Sequence, residues 1–172
     1  TIYADEMDYD KSKQTIKAKG NVLLEVPSEK IKIFSEKLTY LKNKELIILD
    51  NSVKIELDNK FLFTTNEAIY DKNQKKINVN YNSEFKDIAG NIVSAKKAEF
   101  LLINKLLKIE NVNLIDELKN KYSFNKAILN FQDNQLIADG IKIDFFKNSF
   151  NNNENDPRLR GNFMYSDNNK SL

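Results

Sequence analysis

Four acidic residues recur along the chain and are the first candidates for a chemical function. Asp5, Glu36, Glu67 and Glu99 occupy similar places in successive segments, and clustered carboxylates can bind Ca²⁺ or act as general acid and base. The chain has no histidine and no cysteine, which removes the commonest general base, the thiol nucleophile and the soft metal ligands. No Gly-rich phosphate loop or nucleophile elbow is present. We interpret the carboxylates as part of a solvated face, and we expect no enzymatic activity, no metal site and no cofactor.

Lysines form a second recurring group, in the polar segments between apolar stretches. They are Lys11, Lys13, Lys42, Lys44, Lys72, Lys75, Lys76 and Lys105. The formal net charge of +2 is too small to indicate nucleic-acid binding. The pattern fits solvated turns, which commonly carry charge, and it also fits a basic rim that meets anionic head groups. Solvated turns are the simpler interpretation.

These charged residues belong to a seven-residue pattern that occurs five times. The copies are residues 4–10, 35–41, 65–71, 95–101 and 124–130. Their anchor residues, at steps of 31, 30, 30 and 29, are Tyr9, Tyr40, Tyr70, Phe100 and Leu129. A fixed period of this size indicates a repeat architecture, in which each repeat is one supersecondary unit stacked on the next.

Within each repeat the apolar residues are two apart, which is the period of a strand with one buried face. This alternation of apolar and polar residues shifts by one residue in the middle of each half-repeat. A bulge or sharp bend must therefore bring the apolar residues back to the same face. Gly20, Asn51 and Gly140 stand near that place. Turn formers such as residues 10–13 and 42–44 separate the halves. The pattern of each repeat therefore predicts an antiparallel hairpin whose two strands bend near the middle. Stacking five such hairpins would form two facing walls around one apolar interior.

The middle repeats supply the residues that we expect to line this interior. They are Leu38, Tyr40, Ile47, Leu49, Tyr70, Ile77, Val79, Phe100, Leu107 and Ile109. The same stripes are compatible with an open apolar groove and with the core of a closed sandwich. The first strand, around Ile2, Tyr3, Met7 and Tyr9, is an edge with unpaired backbone groups, and we expect it to pair with a strand of a partner.

Residues 3–10, followed by Ala18-Lys19-Gly20-Asn21-Val22, resemble the OstA-like repeat of the lipopolysaccharide transport proteins. This family includes the periplasmic bridge protein LptA and the periplasmic domain of the outer-membrane assembly protein LptD. Residues 156–161 are similar to the segment that, in LptD, ends this domain and leads toward the membrane barrel. The resemblance covers nearly the whole chain.

The resemblance implies an all-β fold, a twisted β-jellyroll or β-taco. Together with the repeats it predicts about ten or eleven antiparallel strands built from five hairpin units of about 30 residues. The domain would span residues 1–147, and residues 148–172 would form a linker and the start of the segment leading toward the outer-membrane barrel.

The resemblance also implies a function at the periplasmic side of the outer membrane. The ten interior residues would form a groove that receives lipopolysaccharide acyl chains from an LptA-like bridge protein and passes them to the outer-membrane translocon. Implied partners are lipopolysaccharide, the bridge protein at the N-terminal edge, and an outer-membrane lipoprotein associated with the barrel. A bridge protein of the LptA or LptC type would use the same groove.

Two other classes of function stay open on the residues alone. A carbohydrate-binding or adhesive repeat domain would show an exposed aromatic ladder and a closed core. A glycan-active enzyme would need paired carboxylates about 5–10 Å apart in a cleft.

Overall fold

Every described strand of the chain belongs to one antiparallel sheet. The structure, a computed structural model, describes residues 1–58, 61–80, 82–86, 92–116, 118–133, 135–146 and 157–167. Over these ranges the only helical segments are two three-residue 3-10 turns, Pro27–Glu29 and Lys42–Lys44. Accordingly, no helix in the described part of the chain has the length and apolar character needed to cross a membrane.

Fourteen strands make up the sheet. They are β1 (Ile2–Tyr3), β2 (Glu6–Asp10), β3 (Thr15–Val26), β4 (Ile31–Leu41), β5 (Leu46–Leu57), β6 (Phe61–Asp71), β7 (Lys76–Val79), β8 (Ser83–Lys86), β9 (Ile92–Ala95), β10 (Lys97–Leu101), β11 (Leu106–Ile115), β12 (Lys121–Asn130), β13 (Gln135–Asp144) and β14 (Arg158–Asp167).

The predicted all-β jellyroll of antiparallel strands is confirmed, although the strands are more numerous than expected. The sheet order runs β1-β3-β4-β5-β6-β7-β10-β11-β12-β13-β14, which is eleven positions. Three positions are divided in two, because β2 continues β1 along β3, and β8 and β9 continue β7 and β10. Each division falls where the neighbouring long strands bend.

The pairing register shifts at the midpoint of the long strands β3 to β6. Shifts occur between Lys19 and Val22, between Phe34 and Lys37, and between Asp50 and Val53. Gly20 and Asn51, which lie inside two of these shifts, have positive φ of 75° and 64°. Asn111 and Gly140 also have positive φ, 53° and 62°, at the middle of β11 and β13, where the pairing register stays constant. Two of the three residues predicted from the parity slip are glycines, which adopt this conformation without steric cost.

Small hydroxyl residues occupy the facing strand beside the shift. The Ser35 hydroxyl donates to the Lys37 carbonyl at 3.0 Å, and the Thr65 hydroxyl donates to the Glu67 carbonyl at 3.4 Å. Both residues are buried, so these bonds satisfy polar groups inside the bend.

The bends fold the sheet into two walls. The first wall is made of the strand halves on the same side of the bends as the turn Pro27–Glu29. The second wall is made of the strand halves on the side of the turn Lys42–Lys44.

Residues 158–167 belong to the segment that we predicted to follow the domain. In the structure they form β14, which pairs with β13 along its whole length. The pairing satisfies backbone groups while burying little side-chain area, since Leu159, Phe163 and Tyr165 are exposed. The rest of the predicted segment, residues 148–156 and 168–172, lies outside the described residues, and the boundary at residue 147 stays a prediction.

The bend predicts a specific sensitivity at Gly140. A Cβ atom there would lie 2.1 Å from Asn125 Nδ2, and the φ of 62° belongs to the left-handed region. Gly140→Ala should therefore lower the free energy of unfolding by about 1–2 kcal/mol. Urea denaturation measures the change.

Gly161 provides a matched control on the paired strand. A Cβ atom there would meet nothing closer than Ile141 Cδ1 at 3.9 Å, and its φ lies outside the left-handed region. Gly161→Ala should leave the midpoint unchanged or raise it slightly. Equal effects of the two substitutions would contradict the role assigned to the bend.

Candidate functional site

The ten residues predicted to line the interior lie together in the structure, in two cross-strand rows of the second wall. The anchor row contains Tyr9, Ile16, Tyr40, Ile47, Tyr70, Ile77, Phe100, Leu107, Leu129 and Leu136, each paired with the next across the sheet. The second row, two residues nearer the bend, includes Leu38, Leu49, Val79 and Ile109. Nine of the predicted ten are buried, and Tyr40 is half-buried.

The two walls touch in the middle of the stack. Ile55 and Phe63 of the first wall and Ile77 and Leu107 of the second enclose a cavity of only about 10 Å³, roughly enough for one water molecule. In this structure the predicted lining is therefore a filled core. The interior could take an acyl chain only if the walls moved apart.

Five phenylalanine rings fill the space between the walls. They are Phe61, Phe63, Phe85, Phe100 and Phe131. Ring centroids lie 4.3 Å apart for Phe61 and Phe131, and 6.2 Å apart for Phe63 and Phe100. Tilted and offset aromatic pairs at such distances add about 0.5–1.5 kcal/mol each beyond area burial.

Our sequence analysis missed Phe61 and Phe131 because they lie next to turns. Phe61 stands two residues before Phe63, and Phe131 stands two residues after the anchor Leu129. Extending the two-residue period into the turn segments would have found both.

A hydrogen bond joins the walls at the open side of the fold. The Tyr70 hydroxyl, on the second wall, donates to a Glu29 carboxylate oxygen at 2.6 Å, across 41 residues of sequence. Burial raises the pKa of the Tyr70 hydroxyl, and the bond to Glu29 raises it further. Two ion pairs span the same gap, with Lys75 Nζ 3.7 Å from Glu29 Oε1 and Lys105 Nζ 4.0 Å from Asp58 Oδ2. We call this gap, between residues 27–30 and 58 on one side and residues 72–75 and 102–105 on the other, the mouth.

A hollow of about 350 Å³ opens at the mouth. Its apolar lining comprises Leu57, Phe61, Phe100, Leu102, Ile103 and Phe131. Its polar lining comprises Ser28, Glu29, Lys30, Asp58, Lys75 and Lys105. Ile103, in the turn between β10 and β11, is 70% exposed. The hollow thus has an aromatic floor and a charged rim.

The predicted edge residues are not equivalent. Met7 and Tyr9 continue the interior rows yet are 59% and 49% exposed, because no further strand covers them. Ile2 packs against the core. Tyr3 has the opposite parity and is exposed, and its backbone lies opposite Leu23 of β3. The interior therefore ends in an uncovered apolar surface formed by Ile2, Met7 and Tyr9.

The recurring carboxylates do not come together. Asp5 accepts a hydrogen bond from Asn21 Nδ2 at 2.9 Å, and Glu99 lies 3.1 Å from Lys108 and 3.2 Å from Lys76. The hydrogen bond from Lys108 is the main cause that lowers the pKa of Glu99, with Lys76 contributing in the same direction. The described residues contain no group of three acidic side chains able to hold a metal ion.

Comparison with known proteins finds similarity to solved structures. No family model matches the chain, and no curated protein matches it. Among solved structures the chain is similar to LptH, the LptA homologous periplasmic component of the conserved lipopolysaccharide transport device from Pseudomonas aeruginosa. The two share 12% identity, the alignment covers 94% of this chain and 92% of that chain, and the TM-score is 0.32. A likeness at this level establishes neither family nor function.

The contact between Tyr70 and Glu29 gives the next prediction. Tyr70→Phe removes the hydroxyl and leaves the Glu29 carboxylate with one fewer donor, so unfolding should become easier by about 1–2 kcal/mol. Tyr40→Phe is the control within one wall, because the Tyr40 hydroxyl donates to Glu45 and accepts from Lys72, both in the second wall. Thermal unfolding should show the larger loss for Tyr70→Phe, and equal losses would contradict the role of this contact in joining the walls.

The same contact sets a direction of pH dependence. Because the pKa of Tyr70 is raised in the folded state, the stability that it contributes is fully present below the ordinary tyrosine pKa of about 10 and is lost as pH rises above it. The chain has seven tyrosines and no tryptophan, so phenolate absorbance follows the titration directly. Tyr70→Phe should remove one tyrosine that ionises above the ordinary tyrosine pKa. An unchanged increase of phenolate absorbance at high pH would contradict the assignment.

Proposed function

We propose that this chain is a lipid-conducting domain of lipopolysaccharide transport, in which the interior between the walls carries acyl chains while the sugars stay in solvent. The observation that carries the proposal is the continuity of the anchor row. Its residues are apolar or aromatic from Tyr9 on the first hairpin to Leu136 on β13, without a charged side chain. The resemblance of residues 3–10 and 18–22 to the OstA-like repeat supports the same function.

The ends of the sheet support conduction rather than storage. The described sheet does not close on itself, since β1 and β14 stand at its two ends. The rows begin at the uncovered residues Met7 and Tyr9. At the other end they reach β14 at Ser166, opposite Leu136, and at Met164, opposite Ala138. A neighbouring domain with the same rows would extend the interior. Moving a twelve-carbon chain through water costs about 10 kcal/mol, at roughly 0.8 kcal/mol per methylene, and a continuous interior avoids that cost.

In this proposal an LptA-like bridge protein docks at the N-terminal edge and the chain works at the periplasmic side of the outer membrane. A role as the LptD-type receiving domain, with an outer-membrane lipoprotein as a further partner, is the finer form of the proposal. A role as an LptA- or LptC-like bridge is the alternative, and it would use the same interior.

The acyl-chain path gives a crosslinking prediction. Photo-crosslinkers at Ile47 and Leu107, which are 2% and 0% exposed, should capture lipopolysaccharide because only a chain between the walls can reach them. A crosslinker at the exposed turn residue Lys42 should capture much less. Gel mobility after irradiation measures capture.

De-acylated lipopolysaccharide is the control ligand. It keeps the sugars and loses the acyl chains, so it should not be captured at Ile47 or Leu107. Equal labelling at all three positions, or equal capture of the de-acylated ligand, would contradict the acyl-chain path and would favour a carbohydrate-binding domain.

The partner edge gives a further prediction. The Thr1 ammonium group donates to the Glu25 carbonyl at 2.8 Å, and Glu25 N donates to the Thr1 carbonyl at 2.9 Å. In an antiparallel pair the next residue, Ile2, directs its N–H and C=O away from β3. Ile2→Pro removes one outward donor and should weaken docking of an LptA-type bridge protein about fivefold in Kd, the value of one ordinary hydrogen bond.

Ile2→Val is the control, because it keeps the N–H and the apolar side chain. Both variants should keep the parent unfolding temperature within a few degrees, since β1 makes only two strand pairs. Isothermal titration measures the affinities. Unchanged binding of Ile2→Pro would show that docking does not use this edge.

A further inference from the structure

The mouth combines three features that point to a ligand site of its own. It is the place where the walls are joined by polar contacts, it opens onto the aromatic floor of the interior, and it carries more cationic than anionic groups. We propose that the mouth is a side entrance for anionic amphiphiles, with Lys75 and Lys105 as the seat of the anionic head group. This inference rests on the proposed function, because it takes the interior to be a place for acyl chains.

The carboxylates at the mouth occupy the positions that a ligand's anion would take. Glu29 Oε1 lies 3.7 Å from Lys75 Nζ, and Asp58 Oδ2 lies 4.0 Å from Lys105 Nζ. Both distances are at the long end for ion pairs, and the lysine side chains are about half exposed, at 48% and 56%. Pairs of this kind contribute little to stability, so a phosphate or carboxylate group of a ligand can replace Glu29 at Lys75, or Asp58 at Lys105, at low cost.

The charge at the rim favours an anion. Lys30, Lys75 and Lys105 face Glu29 and Asp58 around the hollow, so the rim carries one more positive than negative charge. A phosphate group accepts several hydrogen bonds from ammonium groups, and such charge-assisted bonds are stronger than neutral ones. A cationic or neutral head group gains nothing comparable at this place.

The hollow beneath the rim suits an alkyl chain. Its volume of about 350 Å³ falls in the usual range of ligand pockets, roughly 300–1,000 Å³. Its floor is formed by Phe61, Phe100 and Phe131, and the Phe61 and Phe131 rings are only partly buried. Below them lies the ring of Phe63, which continues toward the anchor row. An alkyl chain entering at the mouth therefore meets the interior directly.

The contact between Tyr70 and Glu29 couples the head-group seat to the interior. Tyr70 belongs to the anchor row and is 2% exposed, and its hydroxyl donates to the same carboxylate that faces Lys75. An anion that replaces Glu29 at Lys75 leaves Glu29 with one partner fewer and weakens the junction of the walls. Binding at the rim and opening of the interior are thus linked through one side chain.

The test compares head groups on one alkyl chain. Dodecyl phosphate and dodecyl maltoside, both below their critical micelle concentrations, are titrated into the full chain and followed by calorimetry. The parent should bind dodecyl phosphate more tightly, and this preference should shrink as salt is raised. In the double variant Lys75→Gln/Lys105→Gln, the Kd for dodecyl phosphate should rise on the order of tenfold, while binding of dodecyl maltoside should stay unchanged.

Lys42→Gln/Lys44→Gln is the matched control, because it removes the same charge from a neighbouring turn of the second wall that does not line the hollow. It should leave both affinities unchanged. Equal losses in the two double variants would overturn the proposed seat and indicate general attraction to net charge.

The outcomes separate this inference from the proposed function. If both probes bind with equal affinity and the lysine variants change neither, the interior accepts alkyl chains and the head-group seat is wrong. If neither probe binds, both proposals fail. If only dodecyl phosphate binds, and it depends on Lys75 and Lys105, the seat stands.

Discussion

The change in the parity of the inward residues at the middle of the long strands is the constraint on which this structure depends. In a strand whose side chains alternate strictly between the two faces, a bend in the middle would leave only one half with its apolar side chains toward the interior. The apolar side chains of the other half would then point to solvent. Positive-φ residues stand where the parity changes, with a register shift at Gly20 and Asn51 and a continuous register at Asn111 and Gly140. Both halves of a strand then present apolar residues to the same interior, so the repeat can fold over itself and still have one core.

The bends explain both the continuity of the interior and its closure. Because every repeat bends at the same place, the anchor row and the second row run parallel across the stack. Because the two walls hinge along the line of bends, they can meet at the opposite side, where the Tyr70 to Glu29 hydrogen bond and the Phe61 to Phe131 contact lie. If the proposed function holds, the filled core in the middle repeats is the arrangement without lipid, and a wider angle between the walls makes room for acyl chains. Acyl chains that replace aromatic contacts would be buried in their place, which offsets part of the cost of separating the walls.

Much of the fold could be predicted from the sequence, since the period of about 30 residues and the alternation within it are local signals. The anchor residues, the bends at Gly20 and Gly140, and the inward position of residues such as Leu38 and Ile109 follow from them. What could not be predicted depends on contacts between distant repeats. The pairing of Tyr70 with Glu29 and the closure around Phe131 require the angle between the walls, which no local pattern encodes. The alternation in the sequence was enough to predict that the Tyr3 side chain points away from the interior. The outward direction of the Ile2 N–H and C=O groups could be seen only from the hydrogen bonds that Thr1 makes in the structure.

The central claim is that the two walls separate when lipopolysaccharide enters. The chain lacks cysteine, so spin labels can be placed on Ser28→Cys and Asn73→Cys, exposed positions on opposite sides of the mouth, and their separation measured by double electron–electron resonance. Labels on Asn43→Cys and Asn73→Cys, both in turns of the second wall, report the control distance. The account predicts that lipopolysaccharide lengthens the distance across the mouth and leaves the distance within the wall unchanged. An unchanged distance across the mouth at saturating lipopolysaccharide would mean that the interior is a permanent core.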